Sequence, residues 1–241
     1  MILRWLICFS AGLFGIGLLS LHAASVTGRV ELRDSRDPAV RNRGDFSGVV
    51  VSLKPVAAAA TAPGAAKRVV MLQKNKAFLP HVLAVPMGAL VDFPNADPIF
   101  HNAFSSYSGQ IFDIGLYPPG STRSVRFARE GVVRVFCNIH SEMSAVIVVV
   151  GSPYFATTKR DGTFELANVP PGDYDLNVFH ERASESALRA LVRRLTVAAD
   201  GASLPMVTVS EAGFLAIPHK NKYGHDYGSE PADRVEYPGR K

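Results

Sequence analysis

Cys137, His140 and Met143 follow one another in the stretch "CNIHSEM", at C-x2-H-x2-M spacing. A thiolate is a soft ligand and imidazole a borderline one. Together they suit copper, and the arrangement that holds copper in both oxidation states is a trigonal plane of two imidazole nitrogens and one thiolate with a weak axial methionine. A short loop between two strands can wrap three such side chains around one ion. The set then lacks one histidine, which has to come from elsewhere in the chain. His101 has a suitable setting in "PMGALVDFPNADPIFHNAFSS": Gly88 permits a turn, 89–93 reads as a strand, and "PNADP" is a tight corner that delivers the ring. Singly, a cysteine at a strand end or a methionine after a strand is ordinary core. Zinc also takes Cys and His, but its structural sites close a tetrahedron of Cys, His or carboxylate and leave no role for methionine.

The elements that must position these residues sit in a chain of 241 residues. It opens with Arg4 as the one early charge, an apolar run over 5–21 and then "SLHAAS". This is the pattern of a secretory signal peptide cut after Ala23. The run is at the short edge for a membrane span, and no other long apolar run comes after it, so no membrane insertion is expected once the signal is removed. Cys8 leaves with the signal, which makes Cys137 the one cysteine of the exported chain and rules out an intramolecular disulfide. A lone cysteine in an oxidising compartment is a buried inert residue, an intermolecular bridge or a metal ligand. The formal charge of +5 falls to +4 without Arg4. The basic residues are scattered, and no Lys/Arg block suggests nucleic acid as a partner.

Helix signals are sparse. Runs rich in Val, Ile and Phe alternate with Gly, Pro, Asn and Asp turns, so the predicted class is all-β, built of β-sandwiches. Strands are expected over 25–32 and 48–55, separated by the charged loop "RDSRDPAVRNRGDF", and then over 68–73, 89–93, 124–128, 132–136 and 145–150. Between them "AAAATAPGAA" reads as a flexible connection. The predicted boundaries are a signal over 1–23, a first domain over 24–150 that includes the two N-terminal strands, a second, smaller sandwich over 151–211, and a polar tail over 212–241. The second sandwich carries an Asp161-Gly162 hairpin turn and a Pro-Pro-Gly corner, and its "SESALRALVRRL" segment reads either as apolar strand or as a short helix. The tail is expected to be loose or laid over another surface.

The segment Phe78-x-Pro80, Gly88, Val91-x-Phe93-x-Asn95-x-Asp97, His101-Asn102, Phe127-x3-Gly131, then Cys137, His140 and Met143, resembles the cupredoxins, the plastocyanin-like and amicyanin-like blue copper proteins, over residues 68–150. The spacing of the three-ligand loop is amicyanin-like. The resemblance implies a Greek-key β-sandwich with one type 1 copper at one end. It implies His101, Cys137, His140 and Met143 as ligands, and Asn102 as a brace that hydrogen-bonds the thiolate. Phe93, Phe104, Phe127 and Phe136 would form the dry shell. The stretch "TTKRDGTFELANVPPGDYDLNV" resembles the carboxypeptidase-regulatory-like or transthyretin-like sandwich, a carbohydrate-binding-like fold. The combined layout resembles bacterial plastocyanin-like proteins labelled as methylamine-utilisation proteins.

The expected function is that of a periplasmic one-electron carrier serving a redox partner protein. Nothing reads as catalytic: there is no nucleophile elbow and no nucleotide loop. The alternatives are a periplasmic copper storage or delivery protein, and a module binding saccharide or protein with an accessory copper. His140, on the loop, is expected to be the more exposed ligand and the natural electron port. His81 reads as a surface or edge residue, His180 as a strand-end residue that could face the first domain, and His219 and His225 as tail residues without a readable ligand set. Every expected ligand precedes residue 151, so the copper domain is expected to fold without the residues beyond 150.

Overall fold

The computed structural model describes residues 24–57, 67–106 and 109–227. The expected signal peptide, nearly all of "AAAATAPGAA" and the end of the tail from 228 lie outside the described residues. Among the described residues no helix is long and apolar enough to cross a membrane.

The structure is mostly β, with two sandwiches. The strand Ala24–Arg33 runs antiparallel to Thr163–Val169 and parallel to Ala202–Ser203 and Val207–Ser210. A second sheet lies across from it in the order Tyr154–Thr157, Val50–Pro55, Gly172–Phe179, Arg193–Val197. Alternate residues of each strand point inward. Val26, Val30 and Leu32 meet Val51, Leu53 and Leu176 in one buried core. Gly162 sits in the hairpin turn at φ +83°, and a Cβ there would collide with the Val30 carbonyl.

The two N-terminal strands therefore pair with residues of the 151–211 region, and not with the copper domain to which their sequence position assigns them. The physical reason is that a strand with one apolar face fits either sheet. Neighbours in sequence usually pair, and here 67–150 intervenes between Val50–Pro55 and its partners. The charged loop over 34–47 also contains a short helix, Pro38–Arg43. Asp37 caps it by accepting from the Ala39 N–H at 2.7 Å, Pro38 starts it, and Gly44 at φ 58° ends it. The "SESALRALVRRL" segment forms the helix Glu185–Leu191, capped by Ser184, and then the strand Arg193–Val197.

The inserted sandwich has one sheet in the order Val82–Pro86, Ser144–Val150, Gly131–Phe136, Phe104–Ser105, Phe112–Asp113. The other is Thr122–Arg126, Leu90–Pro94, Arg68–Val70. A hairpin, Leu72–Lys74 with Ala77–Leu79, turns through Asn75 and Lys76, both at positive φ. Val85, Val91, Phe93, Val133, Val135 and Ile147 fill the core between the sheets.

Ser144–Val150 is apolar on both faces. Ala145, Ile147 and Val149 point into the core of the inserted sandwich, whereas Val146, Val148 and Val150 point outward. With Val82, Ala84 and Val132 they pack on Val50, Phe155 and Phe179 of the other sandwich. Four sheets are thus stacked. At the edge of this contact His81 meets the Glu181 carboxylate at 2.9 Å. Behind it, buried Glu211 accepts from Ser35 at 2.6 Å and from the His180 ring at 2.8 Å. Arg182 joins Asp37 at 2.8 Å and Glu211 at 3.0 Å.

This packing makes the outward valines a test of the architecture. In the full chain Val148→Asp puts an unpaired carboxylate between the sandwiches and should cost about 2–3 kcal/mol, read from the denaturant midpoint. In a fragment of residues 67–150 the same substitution should have the opposite sign and improve solubility, because that apolar face then meets water. A full chain insensitive to Val148→Asp would mean that the sandwiches do not pack on this face in solution.

Candidate metal centre

The strands Gly131–Phe136 and Ser144–Val150 pair so that Phe136 faces Ser144, which leaves residues 137–143 as the connection. The Cys137 N–H donates to the Met143 carbonyl at 3.0 Å and the Met143 N–H to the His140 carbonyl at 3.2 Å. These two bonds curl the loop and bring all three ligand-type side chains to one end of the sandwich. His101 arrives from the "PNADP" corner. It is fixed by two backbone bonds with Tyr117, at 3.2 and 2.9 Å, and the Tyr117 hydroxyl donates to the Phe93 carbonyl at 2.9 Å.

The Cys137 Sγ lies 3.5 Å from His140 Nδ1 and 4.0 Å from His101 Nδ1. The three donor atoms lie within 4.8 Å of one another, and among the described residues this is the one group of three or more His, Cys, Asp or Glu so placed. Metal–nitrogen and metal–sulfur bonds of about 2.0–2.3 Å allow two ligands of one ion to stand this far apart. His101, Cys137 and Met143 are fully buried and His140 is 5% exposed. Met143 packs in the same core as Cys137. Two imidazoles, a thiol and a thioether in a dry pocket form a donor set that fits copper and offers zinc no fourth hard or thiolate ligand.

The neutral His101 ring suits a ligand role, whereas the buried Cys137 thiol has to give up its proton to become one. Burial pushes the Cys137 thiol up, against the backbone amides of Ile139, Asn102 and His140 that point at the sulfur. Burial likewise lowers His101, which stays neutral although Asp97 pulls the other way. Its Nε2 is 2.7 Å from Asp97 Oδ2. An ionised carboxylate only accepts, so Nε2 carries the proton and Nδ1 presents its lone pair to the sulfur. Burial works against the Asp97 charge, but the Lys76 N–H at 2.9 Å, the His101 ring and the Asn75 N–H at 2.6 Å outweigh it and hold the carboxyl below its usual range. The hairpin turn at Asn75 and Lys76 therefore holds the carboxylate that holds His101.

Asp97 is a functional residue that sequence reasoning misses as such. Its signal is present as Asp-x3-His across the corner. Asn102 departs from expectation in detail. Its backbone amide serves the sulfur, whereas its side-chain Nδ2 donates to Asp113 at 2.8 Å. His140 is the least buried of the four candidate ligands, at 5% exposed, yet it is not an open port. The tail lies over this end: the Tyr227 hydroxyl donates to the Cys137 carbonyl at 2.6 Å, and the His219 ring stacks on Phe136 at 4.2 Å. The four phenylalanines expected in the dry shell, Phe93, Phe104, Phe127 and Phe136, are all buried. His81 and His180 stand apart, on Glu181 and Glu211, and His225 is exposed.

Asp97→Ala should weaken copper(II) binding by about 10–100-fold in a chelator competition, because His101 loses the group that orients it. The substitution also orphans the Asn75 and Lys76 amides, and should lower stability by about 1–3 kcal/mol. Unchanged affinity would show that the Tyr117 backbone bonds alone set the ring.

No family model and no curated protein matches the chain. Among solved structures it is similar to a purple cupredoxin from Nitrosopumilus maritimus, at 22% identity over 35% of this chain and 99% of that one, with a TM-score of 0.31. It is similar to a variant of amicyanin in its reduced Cu(I) form, at 22% identity over 42% of this chain and 98% of that one, with a TM-score of 0.33. It is also similar to the copper-containing nitrite reductase of Thermus scotoductus SA-01, at 23% identity and a TM-score of 0.33, over 50% of this chain and 28% of that enzyme. These likenesses concern part of the fold, and the candidate metal centre rests on its own ligand geometry.

Proposed function

We propose that the protein is an exported type 1 copper protein that acts as a one-electron carrier, with a redox partner protein in the periplasm. The observation that supports this most is the buried trio of His101 Nδ1, Cys137 Sγ and His140 Nδ1 at mutual distances one ion can bridge, with Met143 in the same core. Copper held by His101, Cys137 and His140, with Met143 as weak axial donor, would supply reversible one-electron chemistry. The chain's own contribution is rigidity. Cys137, His140 and Met143 hang between two paired strands, His101 is fixed by Tyr117 and Asp97, and the phenylalanines exclude water. Donors that cannot move favour neither oxidation state by rearrangement. The apolar surroundings also protect a lone thiol that would otherwise oxidise or pair with another chain.

Copper(II) added to the metal-free chain should give an intense visible thiolate-to-copper band and an EPR spectrum with narrow hyperfine splitting. Cys137→Ser should abolish both, and a spectrum unchanged by that substitution would remove the proposed site. Met143→Leu should keep the colour and raise the reduction potential. Repeated oxidation and reduction without loss of metal supports a carrier. Release of copper(I) to a moderate chelator in one reduction would favour delivery instead.

Because the Cys137 thiol is raised and protonated near neutrality, binding should release a proton, and apparent copper affinity should climb with pH until the thiol titrates. A weakly buffered titration with an indicator reads this directly. Cys137→Ser should lose the proton.

A further inference from the structure

The last described residues of the tail make a set of contacts that a copper-carrying role leaves unused. Three consecutive residues at the start of the ligand loop each hold the tail. Phe136 stacks on His219 at 4.2 Å, the Cys137 carbonyl accepts from Tyr227 at 2.6 Å, and Asn138 Oδ1 accepts from the Lys222 N–H at 2.9 Å. The Lys222 ammonium then reaches across to Asp113 Oδ2 at 2.8 Å. The other oxygen of Asp113 accepts from Asn102, the neighbour of His101. One tail segment is thus bonded to both ligand-bearing parts of the site, the loop with Cys137 and His140 and the corner with His101. Tyr227 and His219 brace each other, hydroxyl to Nδ1 at 3.2 Å.

We propose that residues 219–227 are a latch. They clamp the two ligand segments together, cover the loop above His140, and control how readily the site opens to solvent, to metal and to chelators. Lys222 and Tyr227 are its positioning residues: neither is placed as a ligand, and each acts through Asp113, Asn138 or the Cys137 carbonyl. Little has to break for it to open. Opening costs two neutral hydrogen bonds, one partly exposed ion pair and one ring stack, a small sum beside the buried core beneath. A latch of that strength opens far more often than the sandwich unfolds. The proposal rests on the copper reading for its purpose, but not for its test.

The test uses the full chain without metal and follows the rate at which Cys137 reacts with a bulky aromatic disulfide reagent. Lys222→Gln and Tyr227→Phe should each speed the reaction about fivefold, and the double variant about twentyfold, as one or two net hydrogen bonds are lost. Lys222→Arg should restore the slow rate, and Ile217→Ser, on an exposed part of the tail, should leave it unchanged. Melting temperature should fall by no more than a few degrees in any of them, the amount that the lost bonds are worth in a chain of this size. In copper-loaded chains the double variant should also lose metal faster to a chelator while the visible band keeps its position. Equal thiol reactivity in the double variant and the unaltered chain would overturn the latch. If no variant binds copper, the thiol rates still decide the latch while the copper reading falls. If the double variant melts early, Tyr227→Phe alone decides.

Discussion

The strand Ser144–Val150 has no face that can meet water, and most of the molecule follows from that constraint. Seven residues, "SAVIVVV", place apolar side chains alternately above and below the sheet. Covering one side requires the Leu90–Pro94 sheet and produces the copper-domain core. Covering the other requires the second sandwich. The same strand begins directly after Met143 and is paired with the strand that ends directly before Cys137. The loop that carries three of the four ligand-type residues is therefore suspended from the most deeply packed part of the chain, which is why it can be short, curled and fixed.

The site was legible in the sequence to the extent that it depended on side-chain type. A cysteine, histidine and methionine at fixed spacing on one loop, with a histidine after a tight corner, carry chemistry that needs no coordinates. What was not legible depended on backbone and on distant pairing. The Asn102 amide at the sulfur leaves no trace in composition, since every residue but proline has one. Asp97 was visible as a letter, but its task depends on two amides of a hairpin more than twenty residues upstream.

The fold was legible by element and less so by partner. Alternation and turn residues located the strands at Ala24–Arg33, Val50–Pro55, Leu90–Pro94, Gly131–Phe136 and Ser144–Val150, and the Asp161-Gly162 turn sits where it was expected. The membership of Ala24–Arg33 and Val50–Pro55 was misread, because their pattern states which side is apolar and not which sheet covers it. The helix Pro38–Arg43 hid among charges, although Asp-Pro before it and Gly after it are start and stop signals. The continuous run "SAVIVVV" is the mark of a strand buried on both faces, since such strands read as unbroken apolar stretches. It calls for a layer over the outward face as well as the inward one.

The interruption of the outer sandwich by the copper domain has a consequence in time. Ala24–Arg33 emerges early from the ribosome, but its antiparallel partner Thr163–Val169 arrives about 130 residues later. Until then the first strand has an open edge and an apolar face with nothing to close on. Residues 67–150 complete their local hairpins in that interval, while the outward face of Ser144–Val150 waits for the same missing sheet. The first strand made is thus among the last to be paired. During synthesis both halves of one future interface are exposed together, and unpaired edges and apolar faces exposed in this way are where a chain aggregates.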